Sequence, residues 1–187
     1  MEEDFEKRYP VKRHQYTQSV GKLLPHRISQ VFRELGFETW LNPGQTNGVD
    51  LKAYDNEDNL VLVAEILNWS VGSLISDKRK TCIIENLEFY DCEEVVICTR
   101  FDNDYKLDDL SSYGISLIRL DYQILPRKYY KFFSEIGLIK YRKTDSKETK
   151  QHIKSKVIEY LQSSSIRILA STRTNPEITV ADLQVHF

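Results

Sequence analysis

Cysteine is scarce in this chain and shows no paired spacing. Among the 187 residues only Cys82, Cys92 and Cys98 are cysteines, and no two of them form a CxxC motif. An odd number of cysteines argues against a disulfide framework, and the missing CxxC spacing argues against a zinc site. The sequence therefore predicts three reduced thiols.

A long hydrophobic run and a secretion signal are also missing. The longest apolar stretch, Leu60–Leu67, contains Glu65 and is much shorter than a membrane-spanning helix. Residues 1–4 are mostly acidic, and the apolar region of a signal peptide does not follow them. These absences predict a cytoplasmic protein without a membrane partner.

Net charge is almost absent. The chain has 26 Lys and Arg against 28 Asp and Glu, which leaves a formal charge of −2. This balance excludes a histone-like basic protein but allows a local basic surface. With 41% hydrophobic residues, the composition is that of a folded globular chain of one domain, with room for an appendage.

The charges that are present are strongly segregated along the chain. Residues 85–109 hold nine acids and two bases, a net −7, whereas residues 127–156 hold ten bases and three acids, a net +7. Five aromatic residues lie within the basic segment: Tyr129, Tyr130, Phe132, Phe133 and Tyr141. Basic residues mixed with aromatics are typical of a surface that contacts phosphates. The same aromatics would also pack a helix onto a sheet, and both interpretations stay open.

The order of predicted elements indicates an α/β fold. A helix over 17–35, which alternatively begins at Pro25, precedes three strands, and helices then alternate with two further strands. Strand–helix–strand order implies parallel pairing and a mixed central sheet flanked by helices. We assign residues 1–143 to the main domain, with 1–15 as an N-terminal arm, and 144–187 to a helical or extended C-terminal appendage.

The second and third strands form a predicted hairpin that carries two carboxylates. The polar turn 55–59 separates 49–54 from Leu60–Leu67, whose apolar character indicates a central strand. Counting outward from the turn places Asp50 opposite Glu65, and opposite residues share a face at about 5 Å. Like charges at that distance favour a divalent cation such as Mg²⁺. The alternative is that Asp50 caps the strand while Glu65 pairs with a lysine.

The same residues resemble a known family. Asn47-Gly48-Val49-Asp50, followed by Ala64 to Trp69, is similar to the motif of the PD-(D/E)XK nucleases. The family has the restriction endonuclease-like fold with an αβββαβ core and includes archaeal Holliday junction resolvases. Over roughly 17–120 the predicted element order agrees. The resemblance implies a Mg²⁺- or Mn²⁺-dependent endonuclease that hydrolyses DNA, often as a homodimer.

Carried over position by position, the resemblance implies specific site residues. Asp50 and Glu65 correspond to the metal-binding acids, and the Ile66 carbonyl to a further ligand. Leu67 stands where the family has its catalytic lysine, so Lys52, Lys78 or Lys80 would have to supply that cation. Nucleic-acid contacts are assigned to six residues: Gln45, Asn47, Arg79, Arg127, Lys128 and Lys131.

Three functions follow as alternatives. The first is a metal-dependent DNA endonuclease. The second is a catalytically impaired protein of nuclease fold that binds nucleic acid, which explains Leu67 directly. The third is an oligomeric protein-interaction module in which the segments of charge −7 and +7 pair between subunits.

Overall fold

The fold is seen in a computed structural model that describes residues 13–42, 48–101 and 103–166. The helices within these ranges are α1 (Arg13–Glu34), α2 (Asp77–Leu87), α3 (Arg127–Glu135) and α4 (Lys147–Ser163). The strands are β1 (Glu38–Leu41), β2 (Leu51–Tyr54), β3 (Leu60–Leu67), β4 (Glu93–Cys98), β5 (Ser116–Arg119), β6 (Gln123–Leu125) and β7 (Arg142–Thr144). Two 3₁₀ turns, Asp104–Leu107 and Leu110–Tyr113, connect β4 to β5.

Five strands form a mixed sheet in the order β1-β2-β3-β4-β5. The first three are antiparallel neighbours, whereas β3, β4 and β5 run parallel. The predicted α/β class and mixed sheet with flanking helices are confirmed. The apolar run of β3 is the central strand, and its residues 62–67 are all buried, as expected for a strand covered on both faces.

Helices cover the two faces of this sheet and divide the core. On one face, α1 and α4 pack over Leu51, Ala64 and Ile97. On the other face, α2 and the 3₁₀ turns pack over Val63, Leu67, Val96 and other residues. Because β-strand side chains alternate, Glu65 and Lys52 project toward the α2 side.

Three local expectations differ from the structure. Helix α1 starts at Arg13 and runs through Pro25, so the alternative start at Pro25 is wrong, and the helix begins earlier than the predicted residue 17, within the predicted arm. The sequence predicts the next helix from about Gly72 to Tyr90, whereas α2 begins at Asp77, because Ser76 caps it by accepting the Arg79 amide. The pair β6–β7, a separate parallel two-stranded sheet, was not anticipated.

The segment predicted as an appendage contributes to the main core. Ile153, Val157 and Leu161 of α4 are buried in the same cluster as Leu24 and Ile28 of α1. The helical spacing of these apolar residues was recognised, and the structure shows the surface against which they pack. Residues 167–187 and most of the predicted N-terminal arm lie outside the described ranges.

Two further expectations concern cysteines and membranes. Cys82, Cys92 and Cys98 form no disulfide bond with one another. In the part of the chain that the structure describes, no helix combines the length and apolar character needed to cross a bilayer.

Candidate functional site

The predicted hairpin register brings Asp50 and Glu65 together. Leu51 pairs with Ala64, Lys52 with Val63 and Ala53 with Leu62, as counted from the sequence. The count is wrong next to the turn, where the register shifts by one and Tyr54 pairs with Leu60. Asp50, the residue before β2, donates its amide to the Ala64 carbonyl at 3.0 Å. Its carboxylate Oδ2 accepts the Ile66 amide at 2.8 Å, so the side chain lies against the end of β3.

Both carboxylates are almost fully buried. Asp50 is 6% exposed and Glu65 only 1%. Burial, and after it the negative charge of Asp50, raise the pKa of Glu65 to about 7 against the opposing contributions of Asn86 and Arg79. A carboxyl group with so high a pKa is typical of a functional site, because the folded chain holds it where its ionised form is costly.

Helix α2 supplies the partners of Glu65. Arg79 Nη2 lies 3.0 Å from Glu65 Oε2, and Asn86 Nδ2 donates to Glu65 Oε1 at 2.9 Å. Arg79, Cys82 and Asn86 are spaced i, i+3 and i+7, which places them on one face of the helix. Both Arg79 Nη1 and Asn86 Nδ2 also lie 3.8 Å from Cys82 Sγ. One helix face therefore provides a cation and an amide for the buried acid.

Asn86 also connects the site to the loop before β2. Its Oδ1 accepts the Gly48 amide at 3.2 Å, while its Nδ2 binds Glu65. Gly48 has a φ of +85°, a left-handed conformation that glycine adopts without steric cost. The loop that leads into Asp50 is thus fixed to the same side chain that orients Glu65.

The predicted catalytic lysines lie in different surroundings. Lys52 Nζ is 5.2 Å from the centroid of the Trp40 ring and 4.8 Å from that of Tyr90. Lys80 Nζ is 2.6 Å from the carboxylate of Asp109, and Lys78 is exposed on the first turn of α2. Arg79, which was expected to contact nucleic acid, is the cation that the structure places on Glu65.

The remaining predicted nucleic-acid residues are distributed between two places. Arg127, Lys128 and Lys131 are exposed on α3, and Lys128 Nζ lies 4.6 Å above the Tyr129 ring. Gln45 and Asn47 fall outside the described residues. Most aromatics of the basic segment serve packing: Tyr129 and Phe132 are buried, whereas Tyr141 is exposed.

The side chains of Leu67 and Trp69 pack against apolar neighbours. Leu67 is buried among the residues between β3 and α2, so no cation replaces the family lysine at this position. Trp69 packs edge to face on Phe101 with ring centroids 5.8 Å apart.

Sequence reasoning missed Asn86 as a site residue and the part that Asn68 plays. Asn68 donates to the Val20 and Ile124 carbonyls at 2.8 Å each and accepts the Ile124 amide at 2.9 Å. In the sequence, the only indication of this role is that Asn68 directly follows a predicted buried strand. These bonds attach β6 to the end of β3.

The groups that could bind a metal ion here are the carboxylates of Asp50 and Glu65 and backbone carbonyls beside them. Among the described residues, no three His, Cys, Asp or Glu side chains lie close enough together to hold a metal ion. Mg²⁺ commonly takes one or two carboxylates and completes its shell with water and phosphate oxygens. Asp50 and Glu65 fit that requirement, provided that Arg79 leaves Glu65.

Comparisons of the chain with family models, with curated proteins and with solved structures give no match. The arguments for function therefore depend on the residues themselves.

Proposed function

We propose that this chain is a divalent-cation-dependent nuclease of restriction endonuclease-like fold that hydrolyses DNA phosphodiesters. One observation carries the proposal: Asp50 and Glu65 are buried side by side on one face of the central hairpin, where their like charges call for a cation. The strand order around them supports the same assignment, since β3 is the middle strand and α2 covers the face that bears both acids.

The cation would be held by Asp50, Glu65 and the Ile66 carbonyl, with Mg²⁺ or Mn²⁺ as the expected ion. When bound, it would polarise the phosphodiester and lower the pKa of the attacking water. Asn86 would keep Glu65 oriented toward the ion through Oε1. The raised pKa of Glu65 means that cation binding competes with a proton near neutral pH.

Arg79 is the residue that would replace the family lysine. Its guanidinium lies on Glu65 and its side chain is 22% exposed, so it reaches solvent from the edge of the site. If a divalent cation took the place of Arg79 on Glu65, the guanidinium would be free to contact a phosphate oxygen. Arginine suits that exchange because its planar group binds carboxylate and phosphate with the same geometry.

Cleavage of a supercoiled plasmid in Mg²⁺ and in Mn²⁺ tests this function. We expect nicking by the wild type, and a loss of about 100-fold or more for Asp50→Asn and for Glu65→Gln, as for removal of metal-binding or charge-stabilising groups. Glu57→Gln, an exposed turn carboxylate, is the matched control and should retain full activity. Equal rates in wild type, D50N and E65Q would exclude the proposed site.

A second function is favoured by the Arg79–Glu65 ion pair and the buried Leu67. In a DNA-binding protein without cleavage, Arg79 would permanently take the place of the cation. This function predicts binding of DNA in EDTA, no nicking with either metal, and no change in binding for D50N or E65Q. The plasmid assay, run beside an EDTA binding assay, separates the two functions.

A further inference from the structure

A group of cations surrounds an exposed aromatic ring near the end of β4. The Arg100 guanidinium carbon lies 5.5 Å from the Tyr141 ring centroid, and Lys140 Nζ lies 4.9 Å from it. Tyr141 is 39% exposed, and both cations are exposed as well. Within the described residues neither cation forms an ion pair, which distinguishes them from Lys80 and Lys106.

The backbone holds Tyr141 in a conformation that a tyrosine rarely adopts. Its φ is +59°, in the left-handed region that is unfavourable for a bulky side chain. The Tyr141 carbonyl accepts the Gln123 amide at 2.8 Å, which ties this position to the start of β6. Backbone strain of this kind persists only where surrounding contacts enforce it. In this conformation the Tyr141 ring is held at the surface.

Arg142 fixes the same segment to the central strand. Its Nη1 donates to the Leu138 carbonyl at 2.7 Å, and its Nη2 lies 3.4 Å from Ser70 Oγ. The guanidinium carbon is also 4.4 Å from the Phe133 ring centroid. Since Ser70 follows β3, the group of Arg100, Lys140 and Tyr141 is anchored at the carboxyl end of the parallel strands. That edge is where ligands bind in open α/β sheets.

The strand register relates this group to the carboxylates. Glu65 pairs with Val96 of β4, and Arg100 lies four positions further along the same chain segment. Arg100 is the second residue after β4 ends at Cys98, so it lies beyond the carboxyl end of the strand that neighbours Glu65.

We propose that Arg100, Lys140 and Tyr141 form a docking surface for the phosphodiester backbone of DNA that flanks the phosphate at Asp50 and Glu65. The inference rests on the proposed nuclease function and specifies how its substrate is held. The two cations contact phosphates, and the Tyr141 ring keeps them close together. This surface is distinct from Arg127, Lys128 and Lys131, because those residues belong to α3.

The test measures binding of a fluorescent 20-base-pair DNA duplex to the full chain in EDTA, as a function of salt. In the double variant R100Q/K140Q we expect the salt slope to fall by about 2, with Kd roughly tenfold weaker. The matched control K22Q/R33Q removes two exposed cations of α1 and should leave both quantities nearly unchanged. The charge-conserving R100K/K140R variant should bind like the wild type, and its thermal unfolding beside that of R100Q/K140Q verifies folding.

If the R100Q/K140Q protein is folded and has the same salt slope and the same Kd for DNA as the control variant, the proposed docking surface is wrong. RNA also has a phosphodiester backbone, so the binding measurement is repeated with an RNA duplex of the same sequence. Tighter binding of RNA that depends on the same two cations would overturn the assignment to DNA. EDTA suppresses cleavage, so this measurement reports binding alone. A chain without nicking activity can still show a salt slope that depends on Arg100 and Lys140, and the two proposals can therefore fail separately.

Discussion

Arg79 and Glu65 form an ion pair, with 3.0 Å between Nη2 and Oε2, at the end of the central strand. The acid is buried next to a second acid, Asp50, and the cation comes from the helix that covers that face. This pairing offsets part of the cost of burying two carboxylates next to each other. In the proposed nuclease, a divalent cation would have to take the place of Arg79 on Glu65.

Removing Arg79 should destabilise the protein mainly at alkaline pH. In Arg79→Gln the ionised Glu65 loses its cation, and we expect the free energy of unfolding to fall by about 2 kcal/mol at pH 8. The loss should be smaller at pH 5.5, where Glu65 carries a proton. Urea unfolding at both pH values measures it, with the neighbouring exposed Lys78→Gln as control. An equal loss at the two pH values would argue against this pairing.

Glu65 should also make the wild-type stability depend on pH. Its pKa is about 7 in the folded chain and 4.5 in the ordinary state, so between these values the folded chain binds more protons than the unfolded one. The free energy of unfolding therefore falls as pH rises through this window, by about 3 kcal/mol in total. Subtracting the urea-unfolding profile of E65Q isolates this contribution. A difference that is flat from pH 5 to 8 would contradict the raised pKa.

Asn86 should affect both the fold and the site. Asn86→Ala leaves the Gly48 amide and Glu65 Oε1 without this partner, and we expect a loss of about 1–2 kcal/mol in unfolding free energy. It should also weaken Mn²⁺ binding, because Glu65 is no longer oriented. Asn56→Ala, in the exposed hairpin turn, is the control. Mn²⁺ affinity equal to that of the wild type would show that Asn86 has no positioning role.

Asn68 should be the costliest single amide to remove. Asn68→Ala breaks three hydrogen bonds of a fully enclosed side chain and leaves backbone groups of Val20 and Ile124 unsatisfied. We expect about 3 kcal/mol of destabilisation, measured by urea unfolding against the exposed helix residue variant Gln18→Ala. A loss below about 0.5 kcal/mol, the usual range for surface changes, would show that water replaces these bonds.

The sequence predicted the structure best where the local hydrophobic pattern of a segment is enough to determine its position in the fold. The apolar run with Glu65 identified the central strand. The pairing of Asp50 with Glu65 was predicted from the turn, although the structure reaches it through an irregularity between Ala53 and Tyr54 that the sequence did not show. Asn86 and Arg79 could not be assigned to the site in the same way, because their contact with Glu65 depends on how α2 crosses the sheet. The spacing of Ile153, Val157 and Leu161 predicted a helix but contains no information about its packing partner.

The short pair β6–β7 was missed for a related reason. Three residues per strand give too little alternation for a pattern, and the bonds that hold β6 come from Asn68, more than fifty positions earlier in the chain. Lys52 shows the same limitation. Its face was predicted from alternation, whereas its position between Trp40 and Tyr90 follows from the neighbouring strand β1 and the end of α2.

Binding of Mn²⁺ to the folded chain tests the central claim most directly. Electron paramagnetic resonance of free Mn²⁺, titrated at pH 8 with wild type, D50N, E65Q and the control E57Q, counts the bound ion. We predict one site in the wild type and E57Q, and at least tenfold weaker binding in D50N and in E65Q. The same Mn²⁺ affinity in all four proteins, or no binding by the wild type, would contradict a cation site at Asp50 and Glu65.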